Sequence, residues 1–205
     1  MKAKLLTAQV GPYDMNTYVI IDEDTNISAI IDPGGDPEKI LNMAAGTKVD
    51  KILLTHGHSD HVMALEEIKD ATGAPVHLHP ADAQKFKVKY DIPLEDGAVL
   101  EIGDLKIQVI HIPGHTPGQC CFKLDVGRII VGDTVFVGGP GRTGSPEDFT
   151  TTMDNMQHMV FSWPDTTQFY PGHGPSGTIG EEKPAFLAFL DRGWSPDTQG
   201  DVTWL

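Results

Sequence analysis

Three histidines and one aspartate occupy four of six consecutive positions in the segment His56-Gly57-His58-Ser59-Asp60-His61. An apolar run at 51–54 predicts a buried strand before this segment, and a run starting at Val62 predicts a helix after it. Polar side chains at such a junction lie at the carboxyl end of the strand, where open α/β folds place their sites. Neutral imidazoles and carboxylates are ligands for zinc, and they also suit iron and manganese. The segment therefore predicts a metal site.

The length and charge of the chain limit the classes of protein to which it can belong. The 205 residues are enough for one large domain, and because no linker or repeat divides them we expect a single domain over residues 1–205. The net charge of −14 argues against a nucleic-acid partner and against an anionic membrane surface. We expect a small molecule as the partner, and a monomer or a small homo-oligomer.

The compartment follows from the cysteines and from the hydropathy of the chain. Cys120 and Cys121 are the only cysteines, and adjacent cysteines rarely form a disulfide because their side chains point to opposite faces of a strand. This pattern fits a reducing compartment. The sequence shows no apolar leader and no run long enough to span a membrane. We therefore expect a cytoplasmic protein.

Three further candidate ligands follow predicted strands in the same way as the first cluster. They are His115, Asp133 and His173, and each comes directly after an apolar run and within a turn. His115 lies between Pro-Gly and Thr-Pro-Gly, a stiff turn that suits a preorganised ligand. With His56, His58, Asp60 and His61 the candidates number seven, which is too many for one zinc ion and suits two that share a carboxylate.

The remaining patterns predict two runs of strands, each followed by helices. A helix should begin at Pro37 with Asp36 as its N-cap, and another at Pro146 with Ser145 as its N-cap. The glycine-rich segment 138–144 predicts a flexible loop. Further strands are predicted at 4–10, 17–22, 28–31, 75–80, 98–102, 105–112, 119–124, 128–131 and 168–170, and a closing helix at 186–190.

Several residues have two possible interpretations. Asp32, before Pro-Gly, is either a turn residue or a hydrogen-bond acceptor that fixes the tautomer of a histidine in the cluster. For His77 and His79 we favour a structural role over a place at the rim of the site. Trp194 and Trp204 are expected to pack in the core, although they could line a pocket or an interface.

Five segments of the chain form a recognisable series. In order, they are Ile31-Asp32-Pro33-Gly34, the His56–His61 cluster, Pro113-Gly114-His115-Thr116-Pro117-Gly118, Gly132-Asp133-Thr134 and Tyr170-Pro171-Gly172-His173-Gly174. This series resembles the metallo-β-lactamase superfamily, within its glyoxalase II-like branch. The resemblance covers most of the chain and implies an α/β, four-layer αββα sandwich: two mixed sheets face each other, helices lie outside, and the metal site lies at one edge.

The resemblance also implies a division of the seven candidate ligands into two groups and a bridge. The first ion would be bound by His56, His58 and His115, the second by Asp60, His61 and His173, and Asp133 would bridge them. Asp60 and Asp133 are thus predicted to be catalytic as well as ligating. Because β-lactamases of this superfamily lack the bridging aspartate, the resemblance does not favour antibiotic hydrolysis.

The chemistry of two divalent ions favours a hydrolase. We expect zinc, with iron or manganese as alternatives. Metal binding lowers the pKa of water from about 15.7 to about 7, so a bridging hydroxide could attack a carbonyl whose oxygen is polarised by one of the ions. No separate general acid is evident in the sequence. This fits a thioester, because a thiol with a pKa of about 8.5 can leave as a thiolate without receiving a proton.

Arg142 resembles the cationic position that contacts the glutathionyl part of substrates in this branch, and a glutathione thioester is therefore a possible substrate. It could instead be a solvated loop charge. Gly144 stands where related proteins often have an acidic residue, and we expect no helical carboxyl-terminal domain like that of full-length glyoxalase II. Both departures weaken the case for lactoylglutathione as the physiological substrate.

Two other activities occur on similar scaffolds. A persulfide dioxygenase would use a single iron, held here by His56, His115 and Asp133, while the other ligand-type residues are retained. A lactonase shares the pattern of seven ligands and is a weaker alternative. A binding module without catalysis is the least favoured interpretation, because it would not need a full set of ligands.

Overall fold

The computed structural model describes residues 3–125 and 127–204. Its first sheet has six strands that lie side by side in the order of the chain. The first three strands pair antiparallel, and the third to sixth pair parallel. These strands are β1 Ala3–Val10, β2 Met15–Asp22, β3 Ile27–Ile31, β4 Lys48–Leu53, β5 Val76–Leu78 and β6 Ile92–Pro93.

The second sheet also has six strands and is mixed. Its strands are β7 Val99–Ile102, β8 Leu105–His111, β9 Cys120–Asp125, β10 Arg128–Gly132, β13 Gln168–Pro171 and β14 Gly177–Thr178, in the order β14-β13-β10-β9-β8-β7. Only the pairing of β10 with β13 is parallel. Two short strands, β11 Val135–Phe136 and β12 Gly139–Pro140, form a separate antiparallel pair.

Helices cover the outer face of each sheet. Within the first half of the chain they are α1 Pro37–Met43, α2 Ser59–Val62, α3 Leu65–Thr72 and α4 Pro80–Phe86. The second half contributes α5 Pro146–His158, a 3₁₀ turn at Val160–Ser162, and α6 Ile179–Arg192. Within the described residues, no helix is both long and apolar enough to cross a membrane.

The buried side chains separate into three clusters, and these clusters define four layers. Along β2, Tyr18 and Ile20 pack with β7 to β10 between the sheets, whereas Val19 and Ile21 pack with α1 and α3 on the outer face. This alternation follows from the period of two in a strand, and it explains why the whole of β2 is buried. The outer face of the second sheet packs on α5 and α6. The structure thus confirms the predicted αββα sandwich.

The predicted start of α1 is confirmed, because the helix begins at Pro37 and Asp36 is its N-cap residue. The Asp36 side chain makes no capping hydrogen bond: its backbone is left-handed (φ 47°), and its carboxylate accepts a hydrogen bond from the Gly11 N–H at 3.0 Å. Two other local features were not predicted. The glycine-rich segment 138–144 was predicted to contain no strand, but β12 lies within it. Helix α4 was missed, because its first residue, Pro80, was assigned to the end of a predicted strand at 75–80. Its cap is also unusual: the His79 ring accepts a hydrogen bond from Ala81 N–H at 3.3 Å.

The segment that follows α6 returns to the body of the protein. Trp204 is 2% exposed and packs against Phe161, Phe186 and Phe189. Trp194 also packs on Phe189 but is 39% exposed. The expected core role therefore holds for Trp204, whereas Trp194 lies at the edge of the aromatic cluster.

We expect Trp204→Ala to lower the free energy of unfolding by about 3–5 kcal/mol, because it removes a fully buried aromatic side chain and leaves a cavity. Chemical denaturation followed by circular dichroism would measure this change. Trp194→Ala is the matched control and should cost clearly less. Equal losses for the two variants would contradict the difference in packing.

Candidate metal centre

The seven predicted ligands come together at the edge where both sheets end. The cluster of 56–61 follows β4, and its first residues form the loop into α2. His115, Asp133 and His173 follow β8, β10 and β13 of the second sheet. Three sets of potential ligand atoms each lie within 4.8 Å of one another: His56, His58 and His115; His56, His61 and Asp133; and Asp60, His61 and His173.

His56, His58 and His115 form the first ligand group, and their ring nitrogens make a triangle. His58 Nδ1 lies 3.0 Å from His56 Nε2 and 3.0 Å from His115 Nε2, and the latter two atoms are 3.3 Å apart. Three nitrogens at the usual zinc–nitrogen distance of about 2.0–2.1 Å in a tetrahedron are separated by about 3.4 Å. The triangle therefore has the size of one face of a zinc site.

Hydrogen bonds on the far side of two of these rings determine which nitrogen faces the centre. His115 Nδ1 donates to the Arg142 carbonyl at 2.7 Å, so its Nε2 carries the lone pair when the ring is neutral. His56 Nδ1 lies 3.0 Å from Thr55 Oγ1, and that hydroxyl is 2.6 Å from a carboxylate oxygen of Asp32. The hydroxyl donates to Asp32 and accepts from His56, which turns the His56 Nε2 lone pair inward.

The pKa directions agree with neutral ligands in the first ligand group. Burial and the neighbouring imidazoles lower the pKa of His56 well below its usual value. Burial, together with His115, lowers the pKa of His58 to about 4. Both rings are therefore neutral near pH 7, as metal coordination requires.

Asp60, His61 and His173 form the second ligand group, and Asp133 lies between the two groups. His173 Nε2 is 3.0 Å from Asp60 Oδ2, and this contact lowers the pKa of Asp60 to about 2. Asp133 Oδ1 is 3.3 Å from His61 Nε2. The other oxygen, Asp133 Oδ2, is 3.6 Å from His115 Nε2 and 3.9 Å from His173 Nε2. One carboxylate thus reaches both ligand groups.

A buried pair of atoms shows that a cation fits here. Among the described residues, His61 Nε2 and Asp133 Oδ1 are buried without a hydrogen-bond partner. His61 Nδ1 donates to Asp32 Oδ2 at 3.0 Å, so the neutral ring points a lone pair at Asp133. Burial opposes a charge on His61, but Asp133 and Asp32 raise its pKa well above the usual value. The space between His61 Nε2 and Asp133 Oδ1 therefore favours a positive charge, which a divalent ion would supply.

Asp32 is the acceptor behind the ligands and does more than form a turn. Its side chain is buried, Oδ1 accepts the Thr55 N–H at 2.7 Å, and Oδ2 accepts from both Thr55 Oγ1 and His61 Nδ1. Of the two interpretations left open by the sequence, the structure supports the second. A single carboxylate orients one histidine of each ligand group.

Sequence reasoning missed one further buried carboxylate, that of Asp82 in α4, which contacts the two loops of the first ligand group. No pattern in the sequence distinguishes it from the other aspartates. His77 and His79 belong to none of the three sets of ligand atoms within the described chain. His77 is buried in β5, and His79 stacks on His111 with ring centroids 4.2 Å apart.

A cavity of about 530 Å³ opens beside the metal centre. Its size is typical of sites for small molecules. The Arg142 side chain is 69% exposed at its mouth, where Nε lies 3.4 Å from Asp201 Oδ2. The wall combines predicted ligands, apolar residues and this ion pair: His115, Asp133, Phe136, Val137, Gly138, Gly139, Pro140, Arg142, His173, Asp201, Val202 and Thr203.

Comparison with known proteins identifies the family of this chain. The family model of the metallo-beta-lactamase superfamily matches residues 10–178. The chain belongs to this superfamily. It is therefore similar to enzymes that bind divalent metals, and the His/Asp cluster described above is the part of the chain that could hold them.

Individual relatives extend this similarity over nearly the whole chain. The hydroxyacylglutathione hydrolase GloC of Haemophilus influenzae is 32% identical over 196 residues, which are 85% of this chain and 92% of GloC. The crystal structure of BLEG-1, a B3 metallo-beta-lactamase, superposes with a TM-score of 0.80 at 28% identity, covering 88% of this chain and 97% of BLEG-1. TTHA1623 in a di-iron-bound form gives a TM-score of 0.71 at 31% identity, covering 87% and 96%.

We expect Asp32→Asn to weaken zinc binding to both ligand groups by about 10–100-fold, because Asp32 orients His61 directly and His56 through Thr55. Titration of the metal-free protein with zinc against a competing chelator would measure the affinities. Asp22→Asn, which alters a buried carboxylate at the far end of β2, is the control and should leave them unchanged. Unaltered affinities in Asp32→Asn would show that these hydrogen bonds do not support the ligands.

Proposed function

We propose that the protein is a dinuclear metal-dependent hydrolase of small thioesters. The position of Asp133 carries this proposal, because its two oxygens lie 3.3 Å from His61, 3.6 Å from His115 and 3.9 Å from His173. A carboxylate between two sets of ligands is suited to bridging two ions. His56, His58 and His115 would hold one ion and Asp60, His61 and His173 the other, with zinc as the proposed metal.

The chain's own residues prepare the site for chemistry at a carbonyl. When bound, two divalent ions lower the pKa of water and polarise a carbonyl oxygen. Asp32, Thr55 and the Arg142 carbonyl hold the imidazoles in the orientation that presents their lone pairs. Phe136, Pro140 and neighbouring apolar residues line the cavity beside these imidazoles.

The choice of a thioester rests on the leaving group. The titratable side chains that line the cavity are three proposed ligands together with Arg142 and Asp201, which pair at its mouth. None is a separate general acid beside the reacting centre. A thiol has a pKa of about 8.5 and leaves as a thiolate, whereas an amine needs a proton. The similarity to GloC, a hydroxyacylglutathione hydrolase, supports the same substrate class.

The test is metal content followed by activity on freshly purified protein. We expect close to two metal ions per chain, hydrolysis of S-acyl glutathione at a higher kcat/KM than that of a β-lactam, and loss of activity after chelation that zinc restores. Asp133→Ala is the negative control and should lose more than about 100-fold in kcat/KM while its circular dichroism is retained.

Two other outcomes would replace the proposal. A single iron per chain and oxygen uptake with glutathione persulfide would indicate the dioxygenase. Faster hydrolysis of lactones than of thioesters by the two-metal protein would indicate a lactonase instead.

Arg142 is proposed to bind a carboxylate of the substrate, for which a guanidinium fork is suited. Arg142→Ala should raise KM for an S-acyl glutathione by about tenfold and change kcat by less than about threefold, because Arg142 would hold substrate without contacting the reacting carbonyl. An uncharged N-acetylcysteamine thioester is the control, and its KM should not change. If KM for the glutathione thioester is also unchanged, Arg142 is only a solvated surface charge.

A further inference from the structure

The carboxylate of Asp82 joins the two loops that carry the first ligand group. Its Oδ2 accepts hydrogen bonds from Gly57 N–H at 2.9 Å and from Thr116 Oγ1 at 2.8 Å. Its Oδ1 accepts from Gly118 N–H at 2.6 Å. The residue is fully buried, so these charge-assisted bonds are not exchanged with water.

The three donors are close in sequence to the three histidines. Gly57 lies between His56 and His58, and Thr116 directly follows His115. The two loops are more than fifty residues apart in the chain, and the triangle of ring nitrogens forms only where they meet. A carboxylate that is hydrogen-bonded to both loops therefore helps to fix the distances between these ring nitrogens.

A second side chain of α4 contacts the same region. The ring of Phe86 lies 4.7 Å from the ring of His58, centroid to centroid, in an edge-on arrangement. A Cβ at Gly57 would lie 2.7 Å from Phe86 Cδ2, so the helix packs directly on the loop backbone. Asp82 and Phe86 are one turn apart in α4, and together they set the loop position.

The second ligand group is supported by other residues. Asp32 accepts from His61, and the Tyr13 carbonyl accepts from His173 Nδ1 at 3.3 Å. Asn16 Nδ2 donates to the carbonyls of Pro171 and Gly174, on either side of His173. None of these contacts passes through Asp82.

We propose that Asp82 is a positioning residue for the first ligand group, and that it sets the metal affinity of this group without affecting the second. The inference rests on the proposed dinuclear site. In Asp82→Asn the amide would turn an NH₂ group toward donors that need an acceptor, so at least one loop would lose its hydrogen bond. The first ligand group would then be held less firmly.

The experiment is a zinc titration of metal-free protein against a competing chelator, which resolves two binding steps. We expect Asp82→Asn to weaken one step by about 10–100-fold and to change the other by less than about threefold. Thr116→Val, which removes one of the three hydrogen bonds and conserves side-chain shape, should weaken the same step by less. It also keeps the test valid if Asp82→Asn does not fold.

Asp22 offers a matched control. Its carboxylate also accepts from two backbone N–H groups and one threonine hydroxyl: Asp104 N–H at 2.7 Å, Asp24 N–H at 3.1 Å and Thr25 Oγ1 at 2.7 Å. It lies at the end of β2 remote from the metal centre, roughly 20 Å along the strand from Asn16. Asp22→Asn should leave both zinc affinities unchanged even if it lowers stability.

The affected step is assigned in a His173→Ala background, which lacks a ligand of the second group. In this background the first ligand group is intact, and addition of Asp82→Asn should lower the affinity with which it binds zinc. Three outcomes would overturn the role of Asp82 but not the proposed dinuclear site. Asp82→Asn could weaken both steps equally, it could weaken neither step, or Asp22→Asn could have the same effect. A wild-type chain that binds no zinc would overturn the proposed function and this inference with it.

Discussion

The candidate metal centre depends on how a few buried hydrogen bonds direct the lone pairs of its histidines. A neutral imidazole can present either nitrogen, and the partner on the far side decides which one faces inward. The side chain of Asp32 does this for His61 directly and for His56 through Thr55. The carbonyl of Arg142 does it for His115. Because these lone pairs converge on one region of the site, a positive charge is needed there to stabilise their arrangement.

The backbone around Asp32 is built to hold that carboxylate in place. Asp32 adopts a left-handed conformation (φ 50°), which is unfavourable for a residue with a Cβ. Its N–H donates to Leu53 of the adjacent strand at 3.0 Å, and its carbonyl accepts from Thr17 Oγ1 at 2.5 Å. These bonds join the carboxyl end of β3 to β2 and β4. The sheet therefore holds Asp32 in place, and Asp32 in turn orients the proposed ligands.

Close approach to Asp133 explains two glycines, Gly172 of the last motif and Gly141 of the glycine-rich segment. A Cβ at Gly172 would lie 2.2 Å from Asp133 Oδ1, and one at Gly141 would lie 1.9 Å from the Asp133 carbonyl. Either contact would displace Asp133 from its place between the ligand groups. The 138–143 segment is held from its other side by the end of the chain, through reciprocal bonds between Thr143 and Gly200 and a bond from Trp204 N–H to the Gly138 carbonyl. The wall of the cavity therefore depends on residues after α6.

The residues that meet at the candidate metal centre could be predicted from sequence, because each of them belongs to a short contiguous segment with a recognisable pattern. A buried strand followed by Pro, Gly and a histidine identifies a strand end, and strand ends of facing sheets meet at one edge. What only the tertiary structure decided are contacts between distant residues. Asp32 and His61 are 29 positions apart, and Asp82 and Gly118 are 36 apart. Helix α4 has a histidine as its N-cap and no usual capping residue, so neither the helix nor the partners of Asp82 were evident from the sequence. The sequence alone thus determined which groups could bind metal, and the packing of the sheets and α4 determined how those groups are oriented, because hydrogen-bond direction depends on residues that meet only after folding.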